Sequence, residues 1–462
     1  MFLKIIKKSN TSMSKDIRIK KGLDIKLVGE AKQSTTKIPF GGLYAIKPDD
    51  FHGITPKLVA KEGAEVKAGD TLFYSKDDER ILFPSPVSGF VTEVVRGARR
   101  KVLEIKITSS ATQKFKDFGI KDVEKMTSDE VKTFLLESCC WPFVKQRPYD
   151  IVANPSQAPK AIFISAYATA PLAADYDYVL KGKEAELQAA INAVSKLTEG
   201  KTHVSISKDA TNFPFSSLKG VEIHKISGPH PIGNVSTQIA KIDPINKGEV
   251  VWTISPQDLV VIGELLLTGK LNLERTIALT GSQIKAPHYV TAIAGAAVSS
   301  ILGSGLNDDE TRVISGNVLT GKEVKKGGYL GFYDNQITAI PEGDDYEFFG
   351  WNKPVFNKIS PTRALTFSWM NPNKKYDLDT NTNGEHRAFV ITGAYENVFP
   401  LDIYPLQLLK ACMYKDLDEM EALGIYEVAP EDFALTEFIC VSKQPHQQII
   451  REGLDLLKQE LG

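Results

Sequence analysis

The sequence predicts a multidomain protein of mixed α/β and α+β class. With 462 residues the chain exceeds the size of one typical hydrophobic core. Its first part has short alternating apolar runs, its middle alternates strand-like and helix-like segments, and its C-terminal part has helical apolar spacing. Hydrophobic residues make up 42 % and charged residues 24 %, which is the usage of soluble globular domains and excludes a disordered or fibrous chain.

The first domain, residues 13–110, is predicted to be a small β barrel or sandwich. Gly, Asp and Pro interrupt its alternating runs at close intervals, which is typical of hairpins. The phrases "EGAEVKAGDTL" and "SPVSGFVTEV" resemble the biotinyl/lipoyl-type barrel-sandwich fold, whose members carry a modified lysine on the intervening hairpin. Asp78 occupies that place and Lys76 is displaced by two positions, so a structural module is favoured over a carrier protein. Residues 1–12 are treated as a dispensable extension, because strand-like alternation begins just after Met13.

Residues 111–250 are predicted to form a Rossmann-like α/β domain. "KAIFISAYA" has the pattern of a buried strand, "KEAELQAAINAVSKLTEG" that of an amphipathic helix, and "KTHVSISK" that of a second strand. This order implies a parallel βαβ unit. The domain is expected to lack a nucleotide fingerprint, because no complete Gly-x-Gly-x-x-Gly motif lies between a strand and a helix.

Two further domains are predicted beyond residue 250. Residues 251–346 return to short strands such as "RTIALTGSQI" and "TRVISGNVLTG", which predict a β-grasp-like domain of the SLBB type. Residues 347–371 are rich in Trp, Phe and Pro and are interpreted as a linker. Residues 372–462 contain four segments with Pro or Asp start signals and helical spacing, which predict a C-terminal helical bundle.

Charge and cysteine content disfavour several classes of function. The net charge of −1 gives no broad attraction for nucleic acid. Four cysteines make no framework of the kind that stabilises small secreted domains, which favours a reducing cytoplasm. The low-polarity stretches fall short of the ~20 residues needed to span a bilayer, so the chain itself is not expected to cross a membrane.

The short motifs favour structural roles. "GNVLTGKE", residues 316–323, lacks the Ser or Thr that follows the Lys of a P-loop and places Glu323 where phosphate would lie. The next segment, "KKGGYLGFYD", has the pattern of a hairpin rather than of a helix, so no nucleotide site is predicted here. The histidines match no metal-binding motif, and we predict no metal site. His224 and His230 flank the turn "SGPHPIGN" and are interpreted as hydrogen-bonding residues.

The cysteines are also interpreted as structural, and no catalytic residue is predicted. Cys139 and Cys140 end a helix-like run, where the helix dipole disfavours a thiolate. Cys440, Lys443 and His446 recur at three-residue steps, a spacing that by itself fits a metal site, an activated thiol or no site. Because the last helix is predicted to begin just before His446, we expect Cys440 to pack at the end of the preceding helix.

Long phrases of the chain resemble one family, the A subunit of the Na⁺-translocating NADH:quinone oxidoreductase. These phrases include "IRIKKGLDIKL", "SPVSGFVTEVVRGARR", "SGPHPIGNVSTQIAKIDPINKGEVVWTISPQDLVVIGELLLTGKL", "RVISGNVLTG" and "PLDIYPLQLLKA". The resemblance implies a peripheral protein on the cytoplasmic face of the inner membrane. Its partners would be the integral and flavoprotein subunits, which carry the FAD, FMN and Fe–S groups of the complex. That complex couples electron transfer from NADH to quinone with Na⁺ export.

The same resemblance implies that this chain has no cofactor of its own. Flavin-binding relatives, the NADH-binding subunit of complex I and the C subunit of the Rnf complex, carry a glycine-rich loop where residues 137–143 read "ESCCWPF". Their acidic segment after the first strand corresponds to "ATAP", residues 168–171. Their cluster needs several closely spaced cysteines, and only Cys440 lies in the corresponding region.

Quinone, the expected substrate, is an apolar ring with two acceptor carbonyls, so its site needs aromatic walls and donors. Trp141 and Phe143 are candidate walls, and Lys145 and Arg147 candidate donors. A surface loop with aromatic anchors against the neighbouring domain is the alternative for this segment. A stand-alone soluble flavin-dependent NADH dehydrogenase is the alternative function.

Overall fold

The computed structural model describes residues 15–210, 214–308, 310–325, 327–343, 348–349, 358–359 and 369–461. The predicted N-terminal extension, Met13 and most of the predicted linker lie outside these residues. In chain order the strands are β1 (Asp16–Arg18), β2 (Lys32–Lys37), β3 (Leu43–Ile46), β4 (Pro56–Leu58), β5 (Glu65–Val66), β6 (Thr71–Ser75), β7 (Leu82–Pro84), β8 (Gly89–Arg96), β9 (Val102–Ser109), β10 (Lys145–Arg147), β11 (Ile151–Val152), β12 (Ile162–Ser165), β13 (Thr202–Ser207), β14 (Glu222–Ser227), β15 (Val251–Thr253), β16 (Glu274–Thr280), β17 (His288–Ile293), β18 (Thr311–Ser315), β19 (Lys322–Glu323) and β20 (Gln336–Pro341). The helices are α1 (Ser128–Glu137), α2 (Tyr176–Val179), α3 (Glu184–Val194), α4 (Val235–Ile242), α5 (Pro256–Thr268), α6 (Val298–Leu302), α7 (Tyr395–Val398), α8 (Pro405–Tyr414), α9 (Leu417–Ala422), α10 (Ala434–Phe438) and α11 (His446–Leu461).

Strands β3 to β9 form the first domain as two antiparallel sheets, in agreement with the prediction for this segment. The orders are β3-β9-β8-β5 and β4-β6-β7. Phe73 and Phe83 stack with ring centroids 4.4 Å apart, and Phe51 meets Phe83 edge-on at the same distance. In the turn between β6 and β7 the Asp78 carboxylate accepts hydrogen bonds from Arg80 Nε and Nη2 at 2.9 and 2.6 Å. That turn is thus held by an ion pair.

A seven-stranded sheet of order β1-β14-β13-β12-β15-β10-β11 forms the second domain. The first five strands of that order are parallel, and β10 runs antiparallel to both of its neighbours. Because side chains alternate along a strand, Ile162 and Ile164 join the large core that includes α3 and α5, whereas Phe163 joins the apolar cluster that includes α4. The sheet is therefore covered on both faces, as parallel sheets require.

The second domain extends beyond both predicted boundaries. β15 pairs in parallel with β12 through Ile162–Trp252 and Phe163–Thr253, and α5 follows it directly. The boundary expected at residue 250 therefore falls inside this domain. At the other end β1 pairs in parallel with β14, so residues 16–18 belong to this sheet rather than to the first domain. A three-residue strand carries little local information about its partner, which explains both differences.

A six-stranded sheet of order β19-β18-β20-β16-β17-β2 forms the third domain. β16 and β17 are antiparallel, and β2 is added at the edge in parallel with β17. β18 and β19 pair antiparallel with Ile314 opposite Glu323, so "GNVLTGKE" lies in the connection between these two strands and at the start of β19. Arg312 lies 3.6 Å from the Glu323 carboxylate across this strand pair.

Helices α7 to α11 form the C-terminal domain, and α8 to α11 fall in the four predicted helical segments. Pro405 occupies the first turn of α8, and the Asp416 side chain caps α9 by accepting a hydrogen bond from Glu419 N. α8, α9 and α11 share a buried core that includes Leu408, Met420 and Leu454, whereas Val398 of α7 and Leu435 of α10 belong to a second apolar cluster. Among the described residues, no helix combines the length and apolar character needed to cross a bilayer.

Candidate functional site

The predicted quinone segment runs through the interior between three domains. Helix α1 begins with a capping box in which Thr127 and Glu130 bond reciprocally. Cys139, with a φ of 59°, turns the chain after α1, and a 3-10 turn at Trp141–Phe143 leads into β10. Cys139 and Cys140 are buried, as predicted, and burial raises the pKa of Cys139 to about 11.

Both candidate wall residues are covered by other side chains of the chain. Trp141 is fully buried; its Nε1 donates to Ala153 O at 2.6 Å, and its ring lies perpendicular to Trp252 at 5.3 Å. Phe143 stacks on Phe332 of the third domain with centroids 5.4 Å apart. The segment is therefore not a surface loop, although its aromatic side chains do anchor neighbouring domains as the alternative interpretation held.

The two candidate donors, Lys145 and Arg147, contact different parts of the protein. Lys145 Nζ lies 4.1 Å from the centre of the Tyr333 ring, and Lys145 is half-buried. Arg147 is buried and directs its guanidinium to the C-terminal domain, with Nη2 at 2.9 Å from Glu431 and 3.5 Å from Asp150. The structure thus places Phe143 and Lys145 at one aromatic cluster and Arg147 at a separate ion-pair network.

A buried ion pair, which sequence reasoning missed, borders the same aromatic cluster. Arg275 Nη2 donates to Asp258 Oδ1 at 2.6 Å, and the guanidinium lies 5.8 Å from the ring centres of both Phe143 and Phe332. Arg275 Nε and Nη1 have no hydrogen-bond partner among the described residues. The available signal was that Arg275 alternates with Ile277 and Leu279 in "ERTIALT", which places a charged residue on the apolar face of the strand.

The crevice beyond the carboxyl end of β12 is filled by the chain itself. In parallel sheets ligands bind outside these strand ends. Here Thr169 Oγ1 accepts a hydrogen bond from Gly233 N at 2.9 Å and bonds His230 Nδ1 at 3.1 Å, so residues 228–234 lie over "ATAP". A Cβ at Gly233 would lie 2.6 Å from Tyr167 O, which requires glycine there. His230 is a hydrogen-bonding residue, as predicted, and burial lowers its pKa to about 4.

His224 belongs to a buried pair that no local motif indicates. His203, Glu222 and His224 form a group within the described residues whose ligand atoms could meet at one metal ion. Lys15 N–H, however, donates to His224 Nδ1 at 3.2 Å, which leaves the hydrogen on Nε2 and directs it to His203 Nδ1 at 2.9 Å. A ring nitrogen that carries hydrogen cannot ligate a metal, so these contacts favour a neutral histidine pair.

Cys440 and His446 both contact Tyr395, and Lys443 lies in the turn between them. Tyr395 OH donates to Cys440 Sγ at 3.0 Å, and its ring packs edge-on to His446 at 5.1 Å. Lys443 adopts a φ of 52° in the turn before α11. Cys412, the other C-terminal cysteine, lies in a different apolar cluster from Cys440. The four side chains therefore serve packing and turn formation.

His446 is expected to make the protein less stable in acid. Its ring is fully buried, Nδ1 bonds Thr436 Oγ1 at 2.9 Å, and burial lowers its pKa from 6.5 to about 4. The unfolded chain thus binds more protons between these values, so stability falls as pH drops from 6.5 to 4, by about 3 kcal/mol. Urea unfolding of wild type and His446→Gln at pH 7 and pH 4.5 should show a smaller loss in the variant. Thr436→Val, which keeps the imidazole, should retain the wild-type loss, and equal losses in wild type and His446→Gln would contradict the assignment.

Comparison with known proteins identifies the family. The A subunit of the Na(+)-translocating NADH-quinone reductase of Neisseria meningitidis serogroup B is 36% identical over 448 residues, which cover 96% of this chain and 100% of the relative. The chain belongs to the NqrA family. The protein of the same name from Histophilus somni is 36% identical over 447 residues, with 96% of this chain and 100% of the relative covered.

The NqrA domain models match segments of the first three domains. Residues 17–110 match the NqrA N-terminal barrel-sandwich hybrid domain, residues 126–271 the NqrA second alpha/beta domain, and residues 276–326 the NQRA C-terminal domain. These matches confirm the barrel-sandwich and α/β predictions and a third domain of the SLBB type. The chain also matches the solved structure of an NAD⁺-reducing [NiFe]-hydrogenase in the H₂-reduced state. This match covers 50% of this chain and 52% of the hydrogenase chain, with 9% sequence identity and a TM-score of 0.34.

Proposed function

We propose that this NqrA-family chain is an accessory subunit of a Na⁺-translocating NADH-quinone reductase, the complex that couples electron transfer from NADH to quinone with Na⁺ export. The observation that carries the proposal is 36% identity across 96% of this chain and the full length of the relative that bears this name. In this role the chain is peripheral at the cytoplasmic face of the membrane and binds integral and flavoprotein subunits.

We further propose that the subunit has no flavin or Fe–S cluster of its own. The contacts of the segments that correspond to the cofactor sites of the flavin-binding relatives support this proposal. A flavin phosphate needs a glycine-rich loop with accessible backbone amides, whereas Trp141 and Phe143 of the corresponding segment are packed against Trp252 and Phe332. Burial also raises the pKa of Cys412 to about 12, which disfavours the thiolate that a cluster requires. Electrons would then pass through cofactors of other subunits.

Quinone association is the finer part of the proposal. Trp141 and Arg147 already bond within the chain, whereas Lys145 is half-buried beside the half-buried Tyr333. Among the residues that the structure describes, no ion pair holds the Lys145 ammonium, so it could turn from the Tyr333 ring to a quinone carbonyl. We therefore place the donor role on Lys145.

Deletion of the gene in its host is expected to remove most Na⁺-stimulated NADH:quinone activity from isolated membranes, and the plasmid-borne wild-type chain should restore it.

Lys145→Met should restore assembly but raise the KM for quinone by about three- to tenfold, because one donor to the carbonyl is lost. The rate of NADH oxidation with an artificial electron acceptor should not change, because such an acceptor takes the electrons before they reach quinone.

Lys116→Met is the matched control, because the Lys116 ammonium also lies over an aromatic ring, that of Phe118 at 4.9 Å. It should restore the wild-type KM. Full activity in the deletion strain would overturn the proposed role in the complex. The stand-alone flavin dehydrogenase instead predicts that the purified chain is yellow and oxidises NADH by itself.

A further inference from the structure

A cleft of about 530 Å³ opens at the edge of the α/β sheet, away from the aromatic cluster. Three cationic side chains line it, those of Arg18, Lys20 and Lys208, together with the turn Ser227–Pro229. No sequence motif indicated the three cationic residues as a site, although the turn "SGPHPIGN" was recognised. We call this cavity the basic cleft.

Parallel strand pairing brings the basic cleft together from distant parts of the chain. β1 and β14 run in the same direction, with Arg18 opposite Ser227, and Lys208 directly follows β13 beside them. Their carboxyl ends therefore lie at one edge, which is where open α/β sheets bind ligands. Gly228 has a φ of 137°, and a Cβ there would lie 2.6 Å from Ile19 O. Glycine thus permits the close backbone approach that forms the turn.

The charges of the basic cleft are not balanced by the chain. Lys208 Nζ lies 3.3 Å from Asp16 Oδ2. Arg18 and Lys20 are exposed and form no ion pair with any residue that the structure describes. Three cations thus face one carboxylate, in a chain whose net charge is −1. Such a local excess attracts a multiply charged anion, and an arginine guanidinium with adjacent lysines is suited to phosphate oxygens.

We propose that the basic cleft binds a phosphate group, held by Arg18, Lys20 and Lys208 at the carboxyl ends of β1, β13 and β14. The group belongs either to a small phosphate compound in solution or to the headgroup of an anionic phospholipid. The proposal concerns the chain alone, so it does not depend on the proposed function and can fail separately from it.

The test uses the purified full-length chain with two probes. Inorganic pyrophosphate is titrated by calorimetry, and co-sedimentation is measured with phosphatidylcholine vesicles that contain or lack phosphatidylglycerol. At low ionic strength at least one probe should bind. The triple variant Arg18→Gln, Lys20→Gln, Lys208→Gln should weaken that binding by at least about tenfold, because charge-assisted hydrogen bonds are lost. Circular dichroism should confirm that the variant, whose changes lie at exposed positions, keeps the fold.

A second triple variant controls for net charge. Lys61→Gln, Lys67→Gln and Lys270→Gln remove the same number of charges from exposed positions in other regions, and should leave binding at the wild-type level. Pyrophosphate binding without vesicle binding would assign a soluble ligand, and binding only to vesicles with phosphatidylglycerol would assign a lipid headgroup. Absence of binding to both probes, or equal losses in the two triple variants, would overturn the proposal.

Discussion

Arg275→Met is expected to lower the free energy of unfolding by about 3–5 kcal/mol, because it leaves the buried Asp258 carboxylate without its cation. The side chain of Arg275 is fully buried and that of Asp258 is 4% exposed. Methionine is apolar and close in length to the arginine stem, so most of the packing against Phe143 and Phe332 is kept. The change therefore measures mainly the unpaired charge. Urea unfolding followed by fluorescence would record it as a shift of the midpoint.

Two further variants separate charge from packing. Arg275→Met combined with Asp258→Asn should regain at least half of the loss, because asparagine is neutral and can still bond Ser255 at the start of α5. Lys37→Gln breaks an ion pair to Glu274, the residue next to Arg275, at 2.6 Å, but Lys37 is 68% exposed. That variant should change stability by less than about 1 kcal/mol. A double variant as unstable as Arg275→Met would show that packing, rather than the unpaired carboxylate, causes the loss.

Sequence periodicity located most elements but not the partners of the shortest strands. The pattern of Ile162–Ser165 and Thr202–Ser207 predicted parallel strands, since each buried run is long enough to be recognised. Val251–Thr253 and Asp16–Arg18 are three residues each, and their place in the sheet depends on partners far away in the chain. Pairing of this kind is determined by tertiary packing, and the local sequence carries no information about it.

For the candidate site too, the sequence showed which types of residue are present but not which residues they contact. The aromatic character of Trp141 and Phe143 was visible in the sequence. Their coverage was not, because Trp252 is brought to Trp141 by strand pairing within the second domain and Phe332 is brought to Phe143 by the packing of the third domain. The basic cleft was invisible for a related reason. Lys208 and Asp16 are 192 residues apart in sequence, and only the register of β1, β14 and β13 brings them to one edge.

Arg147→Met is expected to loosen the contact between the α/β domain and the C-terminal helices, with a loss of about 2–4 kcal/mol. Arg147 is buried and its Nη2 lies 2.9 Å from Glu431, on the 3-10 turn that precedes α10. Burial and the charge of Glu431 raise the pKa of Asp432 to about 7, and Arg147 opposes that rise. Without the guanidinium, the charges of Glu431 and Asp432 would repel each other without compensation.

The loss in Arg147→Met should depend on pH, and its sign follows from Asp432. A carboxyl whose pKa is higher in the folded chain than in the unfolded one holds an extra proton when folded, so stability falls as pH rises through about 7. Removal of Arg147 strengthens this effect, so the variant should lose more stability at pH 8 than at pH 6 when urea unfolding is compared with wild type. Lys247→Gln is the control, because Lys247 also joins the two domains, through Glu421 at 2.8 Å, but is 70% exposed. Two outcomes would contradict this assignment: a loss of stability in Arg147→Met that is equal at both pH values, or one that is no larger than the loss in Lys247→Gln. Either would mean that apolar packing, rather than the buried ion-pair network, holds the helical domain in place.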